Sequence, residues 1–155
     1  MKSLKSQKGF TLIEVLLVIA ILAILAGLVI LAINPQKQLL DARNAQRKAD
    51  VSTILSAVYQ YAVDNKGVMP GSNIPTAPTA ALEICTASVS ATCTTATLAD
   101  LSSLITTQTY LAAIPVDPAG NVTNGAGYTI QKTANGRITV TAPAVGGYTA
   151  YSATK

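Results

Sequence analysis

Apolar side chains run without interruption from Val15 to Ile33, nineteen positions whose only residue without a hydrophobic side chain is Gly27. At 1.5 Å per residue this is ~28 Å of helix, the length of one membrane span. A cleaved secretory signal has a shorter apolar run, about 7 to 15 residues, followed by an A-x-A-like site, a pattern this stretch does not fit. Past Asn34-Pro35 the pattern becomes periodic. Leu40, Val51, Ile54, Leu55, Val58 and Tyr61 recur mostly at three- and four-residue steps, with Ala45, Ala49 and Ala62 filling the stripe, and predict an amphipathic helix over residues 36–65. Pro35 either opens this helix at its first position with Asn34 as N-cap, or lies inside one long helix and bends it. Gly67 is expected at the left-handed position that ends the helix, before Pro70-Gly71. The mixed charges Lys37, Asp41, Arg43, Arg47, Lys48 and Asp50 suit a solvated helix surface or contacts with neighbouring copies.

Residues 70–97 are rich in Pro, Thr, Ala and Ser and predict a loop with little regular structure. Thr97 and Asp100 have the spacing of a capping box, and Leu98, Leu101, Leu104 and Ile105 give an apolar face, so a short helix over 98–105 is expected. The last third changes period to two. Tyr128–Lys132 and Arg137–Thr141 alternate as strands around Asn135-Gly136. A two-residue turn would split the apolar residues between faces. A three-residue connection, Ala134-Asn135-Gly136 with Gly136 left-handed, pairs Ile130 with Val140. Tyr128, Ile130, Ile138 and Val140 then share one face, and the stripe Val51 to Tyr61 is its natural cover.

Charge changes this picture at one end only. The net charge is +4, but Lys2, Lys5 and Lys8 precede the apolar run, and outside them eight basic side chains face seven acidic ones. A Lys-rich start before a span keeps the N-terminus cytoplasmic. The chain has no His, which removes the commonest general base and metal ligand. Acids beyond the span are scattered, and no catalytic or metal cluster forms, so no catalytic residue, metal or cofactor is expected. If this part is exported, Cys85 and Cys93, with seven residues between them, read as a small disulfide loop in preference to free thiols. Glu14 stands at the start of the apolar run, where a charge at the centre of a span costs roughly 2.5 to 3.5 kcal/mol.

Lys8 to Leu25, KGFTLIEVLLVIAILAIL, resembles the class III signal of type IV pilins and pseudopilins: a basic leader ending in Gly, then Phe, a lone Glu four residues on, and an unbroken apolar helix. The resemblance implies an α+β fold in which a long N-terminal helix, membrane-spanning in its first half and amphipathic in its second, packs on a small antiparallel sheet. The corresponding organisation is a cleaved leader 1–9, a membrane and filament-core helix 10–33, an amphipathic helix 34–67, a variable loop with a short helix 68–109 and a sheet region 110–155. It also implies cleavage between Gly9 and Phe10 by a prepilin peptidase, which then methylates the Phe10 amine, and pairing of Glu14 in a filament with the Phe10 amine of a neighbouring subunit. Within one processed subunit, Phe10 and Glu14 would be i and i+4 on one helix face. Residues 110–118 are similar to the segment leading into the sheet of major pseudopilins. The calcium site of that group is not expected, because Asp117 is the last acidic residue, and the C-terminal disulfide of many proteobacterial pilins is missing. A major pilin fits better than a secretion pseudopilin.

The expectation is therefore a type IV pilin, inserted in the cytoplasmic membrane with its N-terminus inside, processed, and polymerised on an assembly platform into a homopolymeric filament at the cell surface for adhesion, motility or uptake. The alternatives are a pseudopilin of a type II secretion-like system and a DNA-binding minor pilin. DNA is not expected as a partner, since residues 67–155 offer only Lys132, Arg137 and Lys155 as positive side chains.

Overall fold

The computed structural model describes residues 9–71, 73–86, 93, 98–120 and 123–155. The leader lysines Lys2, Lys5 and Lys8, and Thr97 of the expected capping pair, lie outside the described residues. The chain forms two compact units, residues 1–39 and 40–155.

The first unit carries helix α1, Leu12–Ala32, whose 21 residues include none that is buried. It is long and apolar enough to cross a membrane. Ile33 closes it with φ −98° and ψ 58°, out of helical geometry, while its amide still donates to the Val29 carbonyl. Helix α2, Pro35–Asp64, starts at once. The Asn34 Oδ1 accepts from the Lys37 amide at 3.3 Å, so Asn34 caps α2 and Pro35 takes the first position, where its missing N–H leaves no bond unmade. Of the two sequence readings of Pro35, the structure has the helix break.

The second unit holds the rest of α2 and a five-stranded sheet of order β2-β1-β3-β4-β5: β1 Leu82–Cys85, β2 Leu98–Ala99, β3 Gly125–Lys132, β4 Ile138–Ala142 and β5 Tyr151–Thr154. All neighbours are antiparallel except β1 and β2. The fold is α+β. Ile130 pairs with Val140. The Thr133 amide donates to the Arg137 carbonyl at 2.7 Å, leaving the three-residue connection Ala134-Asn135-Gly136 with Gly136 at φ 84°. Tyr128, Ile130, Ile138 and Val140 are buried in one cluster with Val51, Ile54, Leu55 and Val58 of α2, so the period-3.6 stripe covers the period-2 face.

Three sequence expectations need correction. The short helix expected over 98–105 is instead strand β2 followed by a single 3-10 turn, Ser102–Leu104. Leu98, Leu101 and Leu104 are still buried, but they enter the interior from a strand and a turn, satisfying the same apolar spacing without a helix. The stretch 70–97 is not all loop: β1 forms within it, between β2 and β3, because Ile84 buries fully against the core. The sheet therefore draws on the expected variable region as well as on 110–155. Finally, α2 ends one residue earlier than Gly67 implied. Lys66 (φ 57°) is already left-handed after the last helical bond, Gly67 follows in the left-handed conformation expected of it (φ 89°), and its amide reaches back to the Ala62 carbonyl at 2.7 Å.

Candidate functional site

Glu14 is where the sequence posed its sharpest question, and the local geometry answers part of it. Thr11 is extended (φ −80°, ψ 149°) and caps α1. Its hydroxyl accepts from the Glu14 amide at 3.3 Å, while the Glu14 carboxylate accepts from the Thr11 amide at 3.4 Å. This is a reciprocal capping box, which satisfies two amides that the first turn cannot pair within the helix. The carboxylate also lies at the positive end of the helix dipole. The Thr-x-x-Glu spacing was readable in the sequence and was missed.

In the uncut chain Phe10 precedes the cap, and the helix begins at Leu12 after the extended Thr11; the helix face expected to join Phe10 and Glu14 belongs to the processed subunit. Gly9 and Phe10 are exposed. A Cβ built on Gly9 meets no atom within 4 Å, so the fold itself makes no demand for glycine there.

In the second unit the expected solvated charge run of α2 is turned inward on one face. Arg47 is buried, and its Nε donates to both Asp117 carboxylate oxygens at 2.9 and 2.8 Å. Its Nη1 donates to the Thr149 carbonyl at 2.8 Å, its Nη2 donates to the Pro143 carbonyl, and its guanidinium lies 5.5 Å from the centre of the Tyr148 ring. Arg43 donates to the Tyr148 hydroxyl at 2.6 Å, and the Asn44 side chain accepts from the Thr149 amide at 3.3 Å. One face of α2 thus fastens the connection between β4 and β5.

Asp117 in turn accepts from the Ala119 amide at 2.8 Å. Gly127 runs so close that an added Cβ would lie 2.5 Å from the Asp117 Cβ and from the Gly120 carbonyl. Glycine is required at that crossing, at φ 80°. The carboxylate that counted in the sequence only as a poor metal ligand is the anchor of a buried ion pair. Seventy residues separate the partners, and no sequence pattern announced the pairing.

Tyr128 donates to Asp50 at 2.7 Å, and burial, then this hydrogen bond, push its phenol well above the usual tyrosine range. Tyr110 donates to Asp64 at 2.9 Å, and this bond raises its phenol too. Cys85 and Cys93 are joined as a disulfide, with 5.7 Å between their Cα atoms. Among the described residues no three His, Cys, Asp or Glu side chains gather where they could hold a metal ion.

Residues 4–33 match the family model described as the prokaryotic N-terminal methylation motif, which is the class III signal of type IV pilins and pseudopilins. No curated protein and no solved structure matches the chain. The chain thus carries, over residues 4–33, a signal of the type IV pilin and pseudopilin kind that includes all of α1, ahead of an α+β unit.

Proposed function

We propose that this chain is a type IV pilin: it is held in the cytoplasmic membrane by α1, cut between Gly9 and Phe10 by prepilin peptidase, methylated on the new Phe10 amine, and polymerised on an assembly platform into a filament outside the cell. The observation that carries this reading is the methylation motif lying directly on α1, a helix of which no residue is buried within its own chain. Nineteen apolar side chains left in water would be an aggregation hazard, so α1 needs lipid first and other subunits afterwards. Gly9 supports the cleavage step. Since its own fold leaves room for a side chain, the demand for the smallest residue falls on a protease cleft that takes extended backbone.

On this reading Glu14 has two successive partners. Before cleavage it caps its own helix. In the filament it faces the Phe10 amine of a neighbour, where a charge without its partner is destabilising by about 3 to 5 kcal/mol. The test is N-terminal sequencing and intact mass of material sheared from the cell surface. The expected result is a subunit that begins at N-methylated Phe10; filaments retaining residues 1–9 would overturn the reading.

A further inference from the structure

The β2 edge of the sheet is built differently from every other part of the second unit. It consists of two residues, paired to β1 through Glu83 with Leu98 and Ile84 with Ala99 in parallel. A two-pair parallel ladder is a weak attachment, and parallel strands ordinarily need a crossover helix to hold them. Here Cys85 ends β1, and its disulfide partner Cys93, fully buried, lies five residues before Leu98. Cys85, Cys93 and Leu98 form a small buried cluster separate from the main core. Among the described residues β2 meets on its other side no strand but the side chain of Asn73, which donates to the Leu98 carbonyl at 2.6 Å and accepts from the Asp100 amide at 2.9 Å. The amide thus copies a strand partner and covers an edge that would otherwise be open to pairing with another chain.

We infer that the Cys85–Cys93 disulfide is a redox-controlled fastening of the sheet edge: β2 sits on β1 only when the two sulfurs are joined, so the subunit completes its sheet on the oxidising side of the membrane. Its physiological meaning rests on the proposed export, but the device is testable without it. Oxidation exchanges the two S–H bonds of Cys85 and Cys93 for one S–S bond, with the protons and electrons passing to a disulfide oxidant that leaves as a dithiol. Both cysteines are buried once the bond has formed, so a reducing thiolate reaches it only when the edge opens. Asn73 and the disulfide therefore protect each other: the side-chain clamp slows reduction, and the covalent link keeps β2 within the clamp's reach. In the reduced subunit β1 becomes the outer strand, and its freed edge invites pairing with a second copy of the chain.

The experiment is amide hydrogen exchange on the full chain in detergent, oxidised and reduced, with Cys93→Ser as the permanent reduced form. The expected result is a loss of protection of about tenfold or more at Ala99 and Asp100 on reduction, with Ile130 and Val140 unchanged. Unaltered protection at Ala99 would overturn the inference, and so would a uniform loss across β3 and β4, since the disulfide would then support the whole unit and not its edge. Asn73→Ala gives the second arm: native-state reduction by dithiothreitol should run several-fold faster than in the parent. Reduction at the parent rate would show that the clamp does not guard the bond. Absence of leader cleavage would sink the pilin reading while leaving every one of these measurements intact.

Discussion

Between Leu12 and Ala32 no residue is buried although every side chain but that of Glu14 is apolar or absent, whereas among the described residues of 40–155 the largest fully buried side chain is an arginine. The first unit inverts the usual rule that apolar groups go in and charges stay out, and the second, with an otherwise apolar core, makes an exception to it in the pair Arg47 and Asp117. On the proposed function, the inversion in the first unit reflects a solvent other than water, since α1 satisfies its own backbone and leaves the rest of its surface to lipid or to other helices. In the second the exception means that the interior has been given a polar fastening. The Arg47 guanidinium ties α2, the Asp117 segment and the connection between β4 and β5 through donors that all find acceptors. Replacing such an ion pair with apolar residues is often neutral for stability, so what it contributes is one defined arrangement of a Gly-rich connection. The comparison also separates two kinds of lone charge: Glu14 is provided for locally, within three residues, and Arg47 across the fold.

That difference predicts where each substitution is felt. The largest effect belongs to Glu14. On the proposed function, Glu14→Ala should lower sheared filament yield by tenfold or more, in line with about 3 to 5 kcal/mol for an unpaired buried amine, while near-UV circular dichroism of the second unit stays that of the parent. Glu14→Gln sharpens the contrast, because glutamine keeps the capping box but not the charge. It should fail nearly as badly, and normal filaments from it would assign the role of residue 14 to the cap.

Next comes Arg47→Ala, which strands the Asp117 carboxylate and two carbonyls. Denaturant unfolding should show a loss of about 3 to 5 kcal/mol in the second unit, with membrane insertion by α1 untouched. A loss under about 1 kcal/mol would mean that water replaces the guanidinium without penalty.

The smallest effect is that of Tyr128→Phe, about 1 kcal/mol for the hydrogen bond to Asp50. The same bond carries a pH dependence. The phenol is raised in the folded chain above its ordinary value of 10.0, so its contribution is fully present below pH 10 and declines as pH rises beyond it. Ultraviolet titration at high pH should show a late tyrosine step that vanishes in the Phe variant.

Features whose cause is local were legible in the chain. The span from Val15 to Ile33, the amphipathic stripe of α2 and the Ile130–Val140 register all follow from side-chain periodicity, which acts over a few residues and leaves the alternatives with apolar groups on the wrong face. The Thr11–Glu14 capping box is of the same kind, since its signal lies in four consecutive residues.

The tertiary structure decided the rest. Strands β1 and β2, four and two residues long in a Pro-, Thr- and Ala-rich stretch, have no period of their own and exist because β3, the disulfide and Asn73 offer them partners. The 3-10 turn at Ser102–Leu104 replaces the expected helix for a similar reason: apolar spacing states which side chains are buried, and only packing states by what backbone they arrive. By its neighbours in α2, Asp50 three residues on among them, Arg47 belongs to a mixed-charge helix surface, while the partners that bury it wait 70 and about 100 residues away. A residue's own neighbours in sequence set its backbone preference and its face. Whether a charge can be buried depends on oxygens that only the closed fold brings within 3 Å.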